Sequence, residues 1–268
     1  MKTIRSARFR APLVLTVVLL LATYLSALAP ALAATPLETA KYKAGAAPGL
    51  LKTPLASGQV YLLKVTDPAG GLTPGSIAVT SATIGDNGQW TGTAHTLYAI
   101  VDGVGTPITV KPVKKLAGTI SVAVYRLSPY PPQLSPALDT VKVPVLKIIV
   151  QSKVKTRKGV VYILQCAGDA RTGGGGLGRG DADYMDYQAD GHGAADIGDN
   201  NTDYGMGVDD TDVKKAPRHY KWGPWRADHT YYTLYVGTGK PITLMFFDSV
   251  YSDNSTTDKL TVRVYPTP

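Results

Sequence analysis

The chain has one cysteine, Cys166, and one glutamate, Glu38. A lone thiol excludes an internal disulfide, so stability must come from packing or from a bound ion. Cys166 lies in the apolar run VVYILQC and reads as a buried core residue. With 20 acidic residues in all, one glutamate leaves 19 aspartates. Few glutamates beside 28 glycines, 19 prolines and 16 tyrosines disfavour helices and favour strands and turns. No phosphate loop, dinucleotide fingerprint or Gly-x-Ser-x-Gly elbow occurs. The four histidines, His95, His192, His219 and His229, fall in no metal-binding spacing. These absences argue against nucleotide chemistry, serine-nucleophile hydrolysis and histidine-based zinc chemistry, and the chain reads as non-enzymatic.

Only the N-terminus carries an apolar run of spanning length. Lys2, Arg5, Arg8 and Arg10 precede the uncharged stretch from Ala11 to Ala29, and Ala31-Leu32-Ala33 supplies a small-x-small cleavage pattern. This is the pattern of a secretory signal over residues 1–33, which predicts a secreted or cell-envelope protein starting near Ala34; an uncleaved segment would instead be a membrane anchor. Removing four cations from the formal charge of +8 leaves +4, a weak case for a polyanionic partner such as nucleic acid. The charge is unevenly spread. Ten Lys and Arg and one acid, Asp139, lie between Lys111 and Lys158, whereas Asp169 to Asp212 holds eleven aspartates against Arg171 and Arg179. The basic stretch reads as a strand face guarded by lysines against edge pairing.

Periodicity predicts an all-β protein of two sandwiches. After an Ala, Gly and Pro-rich lead-in (residues 34–57), GQVYLLKVT, SIAVTSATI, TLYAIVDG, PITVK and GTISVAVYRL alternate apolar and polar residues between turn signals such as Asp67-Pro68, Asp86-Asn87-Gly88 and Asp102-Gly103. This spacing predicts an immunoglobulin-like sandwich over residues 58–128 without the cysteine pair of antibody domains. Pro129, Pro131, Pro132 and Pro136 mark a linker (residues 129–142), since proline cannot join a central strand. A second sandwich (residues 143–268) then begins with VPVLKIIVQS and GVVYILQCAG, continues through a long Gly and Asp-rich region, and closes with TYYTLYVG, PITLMFF and KLTVRVY.

The most informative stretch is the connection between the last two strands. Asp248, Asp253, Asn254 and Asp258 place three carboxylates and an amide in one short loop. Those anions repel unless water or a cation screens them, and calcium, which takes carboxylate, amide and backbone oxygens in a flexible shell, would resolve the conflict. A solvated loop of Asx and ST turns is the other reading. Asp199, Asn201, Asp203 and Asp210 have the oxygen density of a second calcium region. Asp181, Asp183 and Asp186 are similarly dense, and Arg179-Gly180-Asp181 reads as a chance tripeptide. An aspartate pair could in principle hydrolyse a glycosidic bond, but that requires a buried carboxylate and the region looks too wet to hold one.

The C-terminal half resembles the calcium-dependent galactose-binding bacterial lectins. The resemblance rests on the strand ending in an Ala-Gly turn (Ile163 to Gly168), on Lys221-Trp222-Gly223-Pro224, on Asp248 followed by Asp253-Asn254-Ser255, and on the alternating strand from Leu260 to Val264. It implies a jelly-roll-like sandwich and one calcium ion held by Asp248, Asp253 and Asn254, with a carbonyl from Val250 or Tyr251. It also implies a carbohydrate or cell-surface glycan whose hydroxyls meet the same ion beside Asp248 and Asp253. Tyr184 and Trp222 are the aromatics expected to stack on a sugar. The chain departs from the family in having Asp-Asn rather than Asn-Asn and a shorter spacer after Asp248. An alternative is a structural envelope protein whose calcium only stiffens loops.

Overall fold

A computed structural model of the protein describes residues 34–43, 49–80, 83–84, 90–112, 116, 118–129, 131–173, 178–186, 204–209, 222–248 and 250–268. The expected signal segment and the second calcium region (Asp199, Asn201, Asp203 and Asp210) lie outside these residues. The strands are β1 (Glu38–Lys43), β2 (Gly49–Pro54), β3 (Val60–Thr66), β4 (Ile77–Thr80), β5 (Thr83–Ile84), β6 (Thr91–Gly92), β7 (Thr96–Asp102), β8 (Pro107–Pro112) and β9 (Thr119–Arg126), followed by β10 (Asp139–Pro144), β11 (Val150–Lys155), β12 (Val161–Ala167), β13 (Ala170–Arg171), β14 (Arg179–Gly180), β15 (Met185–Asp186), β16 (Gly205–Val208), β17 (Thr230–Val236), β18 (Pro241–Phe247) and β19 (Lys259–Pro266).

The all-β expectation holds: every pairing between these strands is antiparallel. The N-terminal half has one sheet in the order β1-β9-β3-β7-β5, with β6 also on β7, and a second in the order β2-β8-β4. The C-terminal half pairs β10-β19-β12-β17 in one sheet and β11-β18-β16 in another, with β13-β14-β15 as a small third sheet. Two expectations change here. The lead-in contains β1 and β2, and Leu51 in β2 is fully buried, because β1 pairs with the edge of β9 and β2 with β8. VPVLKIIVQS is not one strand: its start belongs to β10 and its end to β11, which lie in different sheets.

The period of two sends alternate residues of each central strand into different apolar layers. In β3, Tyr61, Leu63 and Val65 join Ile108, Val110 and Leu51 inside the N-terminal sandwich. In β12, Tyr162, Leu164 and Cys166 join Leu244 and Phe246 inside the C-terminal sandwich. The remaining faces meet each other: Val60, Leu62, Tyr98 and Ile100 from the first half pack with Val161, Ile163, Tyr232 and Tyr265 from the second. Residues 34–268 therefore form one compact unit of four layered sheets. The Pro-rich stretch lies along this shared layer, with Leu134 and Ala137 packed on it.

Gln165 and Tyr232 inside the shared layer are paired, as burial demands. Gln165, fully buried, donates from Nε2 to Tyr232 Oη at 2.7 Å and accepts from Arg263 Nη1 at 2.9 Å, while Tyr232 Oη donates to Leu127 O at 2.6 Å. Arg226 reaches Asp102 Oδ1 at 3.2 Å and Gly58 O at 2.5 Å. Ile163→Ala is expected to cost about 2–5 kcal/mol, read by urea unfolding. Because Ile163 sits in the layer that both halves share, amide exchange should accelerate in β3 as well as in β17. Acceleration confined to β17 would contradict this packing.

Candidate functional site

One end of the C-terminal sandwich gathers its long connections. Val150 opposes Leu244, Gly205 opposes Phe247, and Ala167 opposes both Thr230 and Thr261, so the start of β11, the end of β12, the starts of β16 and β17 and the β18–β19 connection share that end. The β18–β19 tip contains Asp248, Tyr251, Asp253 and Asn254. A short 3-10 turn, Tyr251–Asp253, shapes it. Tyr251 Oη donates to Phe246 O at 2.9 Å and accepts from Asp248 N at 3.1 Å, which folds the turn back onto the end of β18. Asp248 Oδ1 accepts from Val250 N at 3.0 Å, an Asx turn of the kind the solvated-loop reading supposes.

The far side of the tip is tied to two other segments. Asn254 Nδ2 donates to Val145 O at 2.7 Å, Asn254 forms an isolated bridge with Thr172, and Ser255 N donates to Arg171 O at 2.9 Å. Gly173, at φ +96°, lies against Asp253: a Cβ there would stand 3.1 Å from Asp253 Oδ2 and 2.8 Å from Met185 Cε. A side chain there would be strained by the positive φ and would crowd that carboxylate. Asp258 is turned to a structural task, since Oδ2 accepts from Arg171 N at 3.0 Å, and this hydrogen bond holds its carboxyl below the usual range.

Among the described residues of this tip, Asp253 Oδ1 and Asn254 Oδ1 are buried with no hydrogen-bond partner. Asn254 as a whole is only 7% exposed. An unsatisfied buried polar atom costs about 1–3 kcal/mol, and a hard cation is a ligand that would satisfy a carboxylate and an amide oxygen together. Among the described residues no three His, Cys, Asp or Glu side chains converge, so an ion here would use amide and main-chain oxygens besides its carboxylates.

The Gly and Asp-rich region overturns the expectation that it is too wet to hold a carboxylate. Asp181 and Asp183 are each 1% exposed. Asp181 Oδ1 accepts from Asp183 N at 3.0 Å and Tyr184 N at 2.9 Å, and Oδ2 accepts from Tyr231 Oη at 2.7 Å and His229 Nδ1 at 2.8 Å. Four donors occupy this carboxylate, so Asp181 is neither a calcium ligand nor an exposed recognition residue. Asp183 Oδ2 accepts from Trp222 N at 3.3 Å. The same network displaces the two expected sugar-stacking aromatics. Trp222 is a core residue, 2% exposed, donating Nε1–H to Met206 O at 3.0 Å. Tyr184 stacks on Tyr231 and donates to Gly223 O at 2.9 Å. Among the described residues here, Trp225 is exposed and stands edge-on to His229.

The Asp181 cluster was not legible as a unit, because its members lie far apart in sequence: the pairing of β12 with β17 sets Cys166 opposite Tyr231, and Asp181 reaches Tyr231 and His229 from the residues after β14. Burial raises the Cys166 thiol well above its usual value, with Asp181 and Asp183 adding to the effect, so it is an inert core group. No known family, no curated protein and no solved structure matches this chain.

His229 titrates with a raised pKa, first because of its hydrogen bond to Asp181 and then because of nearby Asp169 and Asp228. A raised folded-state value means that the pair contributes fully below the ordinary histidine pKa and is lost as pH climbs through the folded one. His229 has φ +46°, a conformation that asparagine tolerates. Wild type is therefore expected to exceed His229→Asn in stability by more at pH 5.5 than at pH 9, measured by urea unfolding at both. Asp181→Asn is expected to destabilise by about 3 kcal/mol, since an amide cannot accept all four donors.

Proposed function

We propose that the protein is a secreted, non-enzymatic, calcium-dependent carbohydrate-binding protein. In this reading the N-terminal, immunoglobulin-like sandwich is a spacer, and the C-terminal, lectin-like sandwich carries the site at the β18–β19 tip. The observation that carries the reading is the pair of buried oxygens without donors, Asp253 Oδ1 and Asn254 Oδ1, on adjacent residues. Calcium would be held there by Asp253 and Asn254, with Asp248 from the start of the turn and a carbonyl from Val250 or Tyr251. Tyr251 O already accepts from Asn254 N, at a long 3.3 Å, and a carbonyl has a second lone pair to offer. When bound, the ion supplies open positions that sugar hydroxyls can fill. The residues around it fix the loop and exclude competing side chains, as Gly173 does beside Asp253.

One observation favours a second reading, in which calcium only stiffens the loops of an envelope protein. The tip is joined to Val145, Arg171 and Thr172, and Trp222 and Tyr184 are spent on the interior, so an ion here would lock several segments together without a stacking platform among those two.

Calorimetric titration with calcium is expected to show one principal site that Asp253→Ala weakens by about a hundredfold or more, a loss consistent with removing a charged ligand. Glycan binding should then disappear with a chelator. Calcium affinity unchanged by Asp253→Ala would refute the metal assignment; a chelator-induced fall in Tm without binding to any glycan would select the stiffening role instead.

A further inference from the structure

The opposite end of the C-terminal sandwich gathers five cations on two interlocked turns. The β11–β12 and β17–β18 connections meet there: Thr156 N donates to Lys240 O at 3.0 Å, Gly159 N to Gly237 O at 2.8 Å and Gly237 N to Val160 O at 2.8 Å. A Cβ on Gly239 would stand 3.7 Å from Lys158 Cβ, so the turns touch at their tips. Lys153, Lys155, Arg157, Lys158 and Lys240 are all exposed. Just behind the tips, Val160 and Val236 are 41% and 45% exposed, and they are neighbours because Val236 opposes Val161.

Edge protection accounts for part of this charge. β11 is the outer strand in the order β11-β18-β16, and Lys153 and Lys155 stand on it, where lysines deter pairing with another chain. Arg157, Lys158 and Lys240 lie in turns, which have no edge to guard. Among the described residues none of the five forms an ion pair. Two aspartates lie beside them, and both carboxylates are occupied: Asp139 accepts from Thr140 N, Lys153 N and Val154 N, and Asp209 accepts from Thr243 N and Tyr235 Oη. Pro268, beside Val161 through Thr267, has its O met by Lys64 Nζ at 2.7 Å. The sequence leaving β16 adds Asp210 and Asp212 but also Lys214, Lys215, Arg218 and Lys221, all outside the described residues. Cations therefore outnumber acids at this end, and like charges held together in this way attract counter-anions.

We infer that this end binds an anionic polysaccharide, whose carboxylate or sulfate groups meet Arg157, Lys158 and Lys240 while the apolar faces of its sugar rings lie on Val160 and Val236. Charge complementarity calls for an anion, and the shape of the end selects this one. The tips are charged, polar or glycine and the valines sit behind them, so there is no apolar tip to enter a bilayer. The tyrosines there, Tyr162 and Tyr235, are buried, which leaves them unable to stack on nucleic-acid bases. A chain of sugars with hydrocarbon faces between its charges suits both the valines and the cations, and the planar fork of Arg157 matches a carboxylate or sulfate. The inference does not rest on the calcium reading: β18 runs from Pro241 at this end to Phe247 at the other, a separation of about 20 Å at the rise of a strand.

The test uses protein beginning at Ala34, since residues 34–268 form one compact unit. Binding to hyaluronate, dextran sulfate and neutral dextran is measured by calorimetry in chelator, at low and at high salt. The wild type is expected to bind at least one of the two acidic polymers, more weakly as salt rises, and to ignore neutral dextran. Which acidic polymer binds tells carboxylate from sulfate. Arg157→Gln with Lys158→Gln and Lys240→Gln should weaken binding roughly tenfold or more at unchanged Tm. Lys41→Gln with Lys43→Gln and Lys52→Gln removes the same charge from exposed positions on β1 and β2 and should change the affinity less than about twofold. Equal losses in the two triple variants overturn the inference, because net charge alone would then explain binding. Protein that binds neither acidic polymer overturns it and leaves the calcium reading standing. Binding that appears only with calcium, or that Asp253→Ala removes, overturns it and moves the polysaccharide to the β18–β19 tip. Tighter binding to single-stranded DNA or to phosphatidylglycerol vesicles, lost in the first variant, overturns the polysaccharide in favour of that partner.

Discussion

The structure depends on covering both faces of two sheets at once. The sheets built on β3 and β12 each send one set of side chains into their own sandwich and the other set toward each other. Burial of apolar surface on both sides is the dominant favourable contribution available to a chain that has no disulfide. It also explains why these strands read as nearly continuous apolar runs: β12 is VYILQCA, in which only Ala167 reaches intermediate exposure. The one strongly polar residue in that run, Gln165, survives full burial because Tyr232, Arg263 and Tyr265 surround its amide.

A rigid layered body fixes where the loops emerge. The register of β12 with β17 and β19, and of β18 with β11 and β16, sends the long connections to a common end. There the chain handles its aspartates in two opposite ways. Asp181 is withdrawn from water and given four donors, so it acts as a clamp holding residues 181–184 to His229 and Tyr231. Asn254 is buried and Asp253 half-buried, and each keeps one buried oxygen without a donor. A buried group with partners contributes to the fold, whereas one lacking them calls for an explanation of its own.

The fold class was legible in the residues themselves. The alternation in TYYTLYV, PITLMFF and KLTVRVYP matches β17, β18 and β19, and the turn signals at Asp67-Pro68 and Asp102-Gly103 fall at the ends of β3 and β7. Strand β16 was not legible, because GMGV has neither length nor β-branched residues enough to stand out; Gly207 is there for Phe247, whose ring a Cβ would meet at 2.0 Å, and Gly205, at φ +118°, lies against Ala182 O. β1 and β2 were hidden in the same manner, by short segments in an Ala, Gly and Pro-rich context whose partners, β9 and β8, lie more than fifty residues on.

By itself, then, the sequence determined the β class, the lack of covalent cross-links and the crowding of oxygen ligands between β18 and β19, because period, composition and local spacing act over a few residues. Only the tertiary structure decided that Trp222 and Asp181 are interior, that Asp258 caps a neighbouring strand, and that Asn254 Oδ1 and Asp253 Oδ1 are buried without donors. Those outcomes turn on which distant strands lie side by side, and desolvation is felt by a polar atom only once such neighbours have closed over it.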